Sequence, residues 1–274
     1  KLGNSYYFNA DLANAAKWYG ELFAMTEDVD AEYFYRYSQS LKGIGEYDKA
    51  NQMLDKFNQK SGIDTRAQLY AGQKNYLEQI KKNSRRYKLE NAGINSGYSD
   101  YGSAFYGEKV VFASARDTGN FSKKKHAWTD QYFTNMYVSD LSGDGSLSAP
   151  QKFAKTLNTK FHESTPAFSK DGKTMYFTRN NYLDGKKGKS TDKVTFLKTY
   201  RATLDGDKWT NVTELPFNNN NYSVAHPALS PDGKTLYFAS DMPGTLGSSD
   251  LFKVEIKADG SFGDPVNLGP KINT

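Results

Sequence analysis

Cysteine is absent from this chain of 274 residues. Disulfides, thiolate metal sites and cysteine nucleophiles are therefore excluded, and the redox compartment stays open. No proline precedes Pro150, so helices in the first half are not interrupted by one. No apolar run reaches the roughly 18 residues that would span a bilayer. The three histidines, His126, His162 and His226, show no spacing that pairs them as metal ligands or catalytic groups.

The composition favours packed domains rich in β-structure. Apolar residues make up 37% and charged residues 24%, and the length suits two domains. The 20 Tyr and 17 Phe favour pleated surfaces. The net charge of +5 gathers in short basic clusters. Such clusters suit phosphate, lipid headgroups or an acidic protein, but equally well plain solvated loops.

Residues 1–86 read as a helical domain, because apolar residues recur there at helical spacing. The segment Asp11–Ala15 matches Glu46–Ala50 at an offset of about 35 residues. This match is typical of the second helix of a tetratricopeptide repeat, and the alternative is a generic pair of helical hairpins. Asp64 stands where the last helices need an N-cap.

Residues 87–274 carry a different repeat, made of short β-type runs. Pro166–Thr178 returns as Pro227–Ala239 without any insertion or deletion, and a degenerate copy begins at Ser103. In each full copy an Asp-Gly turn separates two strands, because Asp accepts local backbone bonds and Gly takes the left-handed conformation. Four strands per copy predict three β-propeller blades, at roughly 95–158, 159–221 and 222–270. The predicted fold class is therefore α + β in separate domains, with tetratricopeptide-like helices before a partial propeller.

The second repeat resembles the WD40-like propeller repeat called PD40, related to the repeats of TolB. With the helices before it, the chain resembles OmpA-family proteins of Bacteroidetes, which serve type IX secretion or gliding. The resemblance implies a non-enzymatic scaffold in the periplasm, at the inner face of the outer membrane. It implies envelope proteins as partners, among them an outer-membrane β-barrel of PorP/SprF type, and peptidoglycan through a further C-terminal domain.

Several expectations accompany this interpretation. The chain starts at Lys1 rather than Met, so we expect a processed or truncated product, and we expect a further blade after Thr274. No cofactor and no nucleic acid is expected. The alternatives are a propeller-type enzyme and a nucleic-acid-binding module. Against an enzyme, the innermost strands at Pro166–Phe168 and Pro227–Leu229 hold no carboxylate or histidine.

Two long loops form the candidate partner-binding site. Between the second and third strands of the first two blades, residues 116–134 and 179–196 exceed the matching loop of the third blade. Alternating strand direction predicts that both lie on the face of the connections between blades. Aromatic residues among cations are typical of an interface, or they fold back over their own blades. The candidates are Phe121, Lys124, His126, Trp128, Tyr132, Phe133, Tyr182, Lys186 and Lys187.

One segment resembles a calcium loop. Asp140, Ser142 and Asp144 place oxygen atoms at loop positions 1, 3 and 5, and Gly145 follows at position 6. Position 12, however, is Gln151 in place of the bidentate glutamate. The alternative, a Gly- and Asp-rich hairpin turn, is the favoured interpretation, and no metal is assigned.

Overall fold

The computed structural model describes residues 1–74, 76–84, 86–116, 125–127 and 129–273. The chain divides into two compact units, Lys1–Leu89 and Glu90–Thr274. The first unit is helical, and the second is built from antiparallel sheets. Among the helices described, none combines the length and the apolar character required to cross a membrane.

The predicted helical segment is confirmed, and its described residues form six helices. They are α1 (Leu2–Phe8), α2 (Leu12–Met25), α3 (Ala31–Gly43), α4 (Tyr47–Lys60), α5 (Thr65–Gly72) and α6 (Tyr76–Asn83). Asp11, Asp30 and Asp64 cap α2, α3 and α5, each accepting a hydrogen bond from a backbone N–H of the first turn. Such caps satisfy donors that have no partner within the helix.

The helices pack through small residues beside large rings. Ala15 of α2 and Ala50 of α4, the two matched alanines, are fully buried. Phe23 and Tyr37 stack with ring centroids 5.3 Å apart across α2 and α3. Because alanine lets two helices approach closely, the rings of neighbouring positions fill the space around it.

In the described residues, fourteen strands form three four-stranded antiparallel sheets and one hairpin. Sheet 1 contains β1 (Asp100–Tyr106), β2 (Lys109–Ser114), β3 (Asn135–Asp140) and β4 (Gln151–Lys152). Sheet 2 contains β5 (Glu163–Phe168), β6 (Thr174–Asn180), β9 (Leu197–Asp205) and β10 (Lys208–Glu214), and the hairpin between β6 and β9 is β7 (Tyr182–Leu183) with β8 (Lys186–Lys187). Sheet 3 contains β11 (Val224–Leu229), β12 (Thr235–Ser240), β13 (Asp250–Glu255) and β14 (Val266–Asn267). Each of the three sheets has the four antiparallel strands predicted for a propeller blade, and the described residues form no closed propeller.

The Asp-Gly turns form as the sequence predicts. In sheet 2 the Asp171 carboxylate accepts from the Ser169 hydroxyl at 2.5 Å and from the Lys173 N–H at 3.0 Å. Gly172 takes φ +69°, where a side chain would be strained. Sheet 3 repeats this turn around Asp232, with Gly233 at φ +70°.

Each first strand carries a bulge at the same place. The pairing register shifts after Tyr101 in β1, after Ser164 in β5 and after Ala225 in β11. The next residue in each strand has a positive φ: Gly102 at +64°, Thr165 at +45° and His226 at +57°. The Thr165 hydroxyl lies 3.1 Å from Nδ1 of His226. The first strands therefore lie side by side and bend at equivalent points.

Aromatic side chains fill the space between successive sheets. Tyr106 of sheet 1 packs against Phe168 of sheet 2, with ring centroids 4.6 Å apart. Trp209 of β10 joins the same buried cluster. Between sheets 2 and 3, Tyr176 meets Phe262 edge to face at 6.2 Å. The high aromatic content is thus used mainly as packing between sheets.

Candidate functional site

Three segments meet at one end of sheets 1 and 2. They are the described end of the β2–β3 connection (125–127 and 129–134), the β6–β9 connection (181–196) and the link between the sheets (153–162). Each supplies one ring: the centroid of Phe161 lies 6.2 Å from that of Phe133 and 4.9 Å from that of Tyr182. Both long loops therefore contact the link between the sheets, at the end of sheets 1 and 2 where that link lies.

The rings extend to two histidines. We use the name ring cluster for His126, Phe133, Phe161, His162 and Tyr182, all of which are half-buried. The imidazoles of His126 and His162 meet edge to face at 5.1 Å, and His162 lies 4.7 Å from Phe133. The two histidines are distant in sequence, and the fold brings them into a ring contact that their spacing in the sequence does not indicate.

His162 is held in one orientation by the backbone. The Thr134 N–H donates to its Nδ1 at 3.1 Å, which places the ring proton on Nε2. Its own backbone N–H donates to Oδ1 of Asn180 at 3.0 Å. Burial, and secondly the charge of His126, lowers the pKa of His162 to about 4. The ring is therefore neutral near pH 7 and acts as a fixed part of the cluster.

Lysines lie over the rings of Phe161 and Tyr182. Nζ of Lys160 is 5.8 Å from the Phe161 centroid and 5.7 Å from that of Tyr182. Nζ of Lys187 is 5.2 Å from the same Phe161 centroid. Lys186, also exposed, precedes it in the β7–β8 hairpin. These distances allow cation–π attraction while both ammonium groups keep contact with water.

A buried ion pair contacts the segments that carry the ring cluster. Glu163, the first residue of β5, is fully buried, and its Oε1 lies 3.1 Å from Nε of Arg179, which is 3% exposed. Nη2 of Arg179 donates to the Leu157 carbonyl at 2.6 Å, and the Thr159 hydroxyl donates to Glu163 at 2.6 Å. The pair thus ties the link between the sheets to the start of β5.

The same pair reaches the hairpin. Nη1 of Arg179 lies 3.5 Å from the Tyr182 carbonyl oxygen, and the Tyr182 N–H donates to the Tyr200 hydroxyl at 3.2 Å. Burial raises the pKa of Glu163 to about 7, and the charge of Arg179 acts against this rise. The strands predicted at Pro166–Phe168 and Pro227–Leu229 are longer than expected. They begin at Glu163 and at Val224, so β5 includes a carboxylate and β11 includes His226.

The other predicted residues are placed differently. Phe121, Lys124 and Trp128 lie outside the described residues. Tyr132 packs against Tyr98, with centroids 6.3 Å apart, and has no ring contact with the cluster among the described residues. The sequence interpretation missed three members of the site: Lys160, Phe161 and His162. They precede the repeat and belong to no strand, and an aromatic pair beside a lysine was their only signal.

The segment that resembles a calcium loop is a hairpin turn. Asp140 ends β3 and pairs with Lys109. Asp144 accepts hydrogen bonds from the backbone and hydroxyl of Ser146 at 2.9 and 2.7 Å. The two carboxylates therefore serve different local contacts. In the part of the chain that the structure describes, no three acidic or histidine side chains gather as metal ligands.

Comparison with known proteins places only the fold. No protein-family model and no curated protein matches the chain. Among solved structures it is similar to a puromycin-hydrolysing peptidase of Mycobacterium tuberculosis (14% identity, TM-score 0.38, 65% of this chain and 24% of that one). It is also similar to a putative TolB of Agrobacterium tumefaciens (19%, 0.34, 60% and 43%) and to an α-L-arabinofuranosidase of Lactobacillus brevis (12%, 0.34, 68% and 61%).

The chain spans about a quarter of the length of that peptidase and less than half of the TolB chain. Enzymes are therefore among the structures to which the chain is similar, which contradicts the prediction that the chain is not an enzyme. With these identities and TM-scores, neither an activity nor a substrate passes to this chain. The similarities concern sheets of propeller type and nothing finer.

Proposed function

We propose that this chain is a scaffold that binds other proteins, with the ring cluster as one of its binding surfaces. The observation that carries the proposal is the meeting of three separate segments in one half-buried group of rings with lysines above it. Protein interfaces concentrate their binding energy in aromatic side chains that are held rigidly and surrounded by polar groups.

The finer parts of the proposal rest on sequence resemblance. They are tetratricopeptide-type packing for α1–α6, propeller blades for the three sheets, and membership of the OmpA family. The same resemblance supports a periplasmic location, an outer-membrane barrel of PorP/SprF type as partner, and attachment to peptidoglycan through a further domain. Repeat structures offer extended surfaces for such partners.

Affinity purification of the tagged chain from its native cell envelope, followed by mass spectrometry, tests the proposal. The double variant Phe161→Ala/Tyr182→Ala should lose partners that the wild type captures. Phe105→Ala is the matched control, since Phe105 is an aromatic residue of sheet 1 that is 73% exposed and lies outside the ring cluster. Equal capture by the double variant would remove the ring cluster from the proposal, and recovery of cytosolic partners alone would exclude the envelope.

A further inference from the structure

We propose that Lys160 and Lys187 form a carboxylate-binding site, and that the ring cluster therefore takes an acidic segment of a partner protein. The proposal rests on the proposed function and specifies the chemistry of the partner. Its starting point is geometric: two ammonium groups from different segments, the link and the hairpin, lie 5.8 and 5.2 Å from the centroid of one ring.

Two ammonium groups near one ring repel each other, and an anion bound between them would offset that repulsion. Among the described residues, neither lysine forms an ion pair, although Lys125 nearby pairs with Asp130 at 3.2 Å. The nearest acidic residue of the hairpin, Asp184, occupies its turn with φ +49° and forms no ion pair in the described part. Among the residues that the structure describes, this place thus has two cations and no carboxylate paired with them.

Hydrogen bonds hold the backbone of both ring residues in place without a ligand. The Phe161 N–H donates to the Thr159 hydroxyl at 3.1 Å, that hydroxyl donates to Glu163, and the backbone of Tyr182 is bonded to Arg179 and Tyr200. Rings held in this way lose little conformational entropy on binding, which favours affinity. The neighbouring Phe133 and His162 extend the apolar surface beside the two cations.

The mixture of groups favours an acidic protein segment over other anions. Nucleic acids and anionic membranes are bound through many phosphate contacts, on the order of 6–10 for duplex DNA. Here the cluster offers Lys160, Lys186 and Lys187 beside rings, and the whole chain carries only +5. An extended peptide can place carboxylates on the lysines and apolar side chains on Phe133 and Phe161.

Fluorescence anisotropy with the full chain tests this directly. One labelled peptide of twelve residues alternates Glu with Leu and Phe, and a second has Gln in place of each Glu. We expect the Glu peptide to bind about tenfold more tightly, since two exposed ion pairs each contribute up to about 1 kcal/mol. Lys160→Gln/Lys187→Gln should remove that difference, and Lys160→Arg/Lys187→Arg should retain most of it.

The control variant is Lys170→Gln/Lys234→Gln, which removes two lysines of the Asp-Gly turns and leaves the ring cluster intact. It should bind like the wild type. Equal binding of the two peptides by wild type, or an unchanged preference in Lys160→Gln/Lys187→Gln, overturns the proposal. So does tighter binding of phosphatidylglycerol vesicles or of a single-stranded oligonucleotide. The affinity purification separates the two proposals. If Phe161→Ala/Tyr182→Ala loses the partners that the wild type captures, whereas Lys160→Gln/Lys187→Gln still captures them, the scaffold proposal stands and the carboxylate site fails.

Discussion

Sheets 2 and 3 share a repeat but begin differently. When the two copies are aligned, Glu163 and Arg179 of sheet 2 correspond to Val224 and Ser240 of sheet 3. In sheet 3 the short β12–β13 loop is held instead by Asp250, which accepts from the Leu246 N–H at 2.7 Å. A buried ion pair thus occurs in sheet 2, where the loop is long, and is absent from the described sheet 3, where the loop is short.

Sheet 1 extends the comparison. Its long loop is also accompanied by a pair, since Nη2 of Arg116 lies 2.9 Å from Asp100 and also donates to the Ile94 carbonyl at 2.8 Å. Burial acts to raise the pKa of Asp100, but hydrogen bonds from Ser114, Ser96 and Arg116 lower it to about 2. The repeat therefore specifies the strands, whereas the acid–arginine pairs fix the segments that leave them.

The largest effect should come from breaking the pair of sheet 2. Arg179→Met leaves Glu163 buried without its cation, which should lower the free energy of unfolding by about 3–5 kcal/mol. Glu163→Val/Arg179→Ser, which installs the residues of sheet 3, should lose less than Arg179→Met alone. Amide hydrogen exchange read by mass spectrometry localises the change to sheet 2 and its link. Equal loss in the single and double variants would mean that Arg179 acts through its other contacts.

The next largest effect should be a difference in stability loss between two tyrosines at equivalent positions of sheets 2 and 3. Tyr176 is 5% exposed because sheet 3 covers it, whereas Tyr237, its counterpart in the next copy of the repeat, is 37% exposed. Tyr176→Ala should destabilise by about 3 kcal/mol, since it removes a buried ring. Tyr237→Ala should change the free energy of unfolding by less than about 1 kcal/mol. Denaturant titration of both variants measures the difference, and similar losses would show that burial does not distinguish these positions.

The pH dependence of sheet 2 should be smaller and has a defined sign. The pKa of Glu163 is raised from 4.5 to about 7 in the fold, so the folded state keeps a proton that the unfolded state loses. This contribution is fully present below pH 4.5 and is lost as the pH rises through about 7. Relative to Glu163→Gln, the wild type should lose stability between about pH 5 and 7.5.

His162 acts in the opposite direction, because its lowered pKa removes stability as the pH falls from 6.5 towards 4. The Glu163→Gln variant keeps His162, so the difference between wild type and variant cancels that contribution. Denaturant midpoints of both proteins at four pH values provide the measurement. A difference that stays constant with pH would show that Glu163 is ionised in the fold throughout this range.

The smallest effect should come from the Asp-Gly turns, which sheets 2 and 3 share. Asp171→Ala and Asp232→Ala each remove two local hydrogen bonds from equivalent turns, so each should lower the free energy of unfolding slightly and by a similar amount. Asp207→Ala is the control, because this exposed residue lies in the turn between β9 and β10, outside both Asp-Gly turns. Unequal losses for the two turns would mean that the repeat is not equivalent energetically.

The sequence predicted strands and turns better than the site, for physical reasons. Asp171 and Gly172 act on residues close in sequence, so the turn can be recognised from a short motif. Phe161 and Tyr182 meet only because β5 and β6 pair and the link folds over them, which no local pattern encodes. Glu163 lay outside the repeated motif, and its partner Arg179 stands at the far end of the next strand. The convergence of the two long loops, in contrast, followed from strand direction alone.

The occurrence of an acid–arginine pair beside each long loop also has a consequence for protein engineering. A recognition loop transplanted between β12 and β13 would enter a site built for a short turn, with Val224 and Ser240 beneath it. Val224→Glu and Ser240→Arg would have to accompany the graft as a single change, because either alone buries an unpaired charge. A loop of this kind should therefore be transplanted together with the acid and the arginine, two residues that lie outside the loop itself.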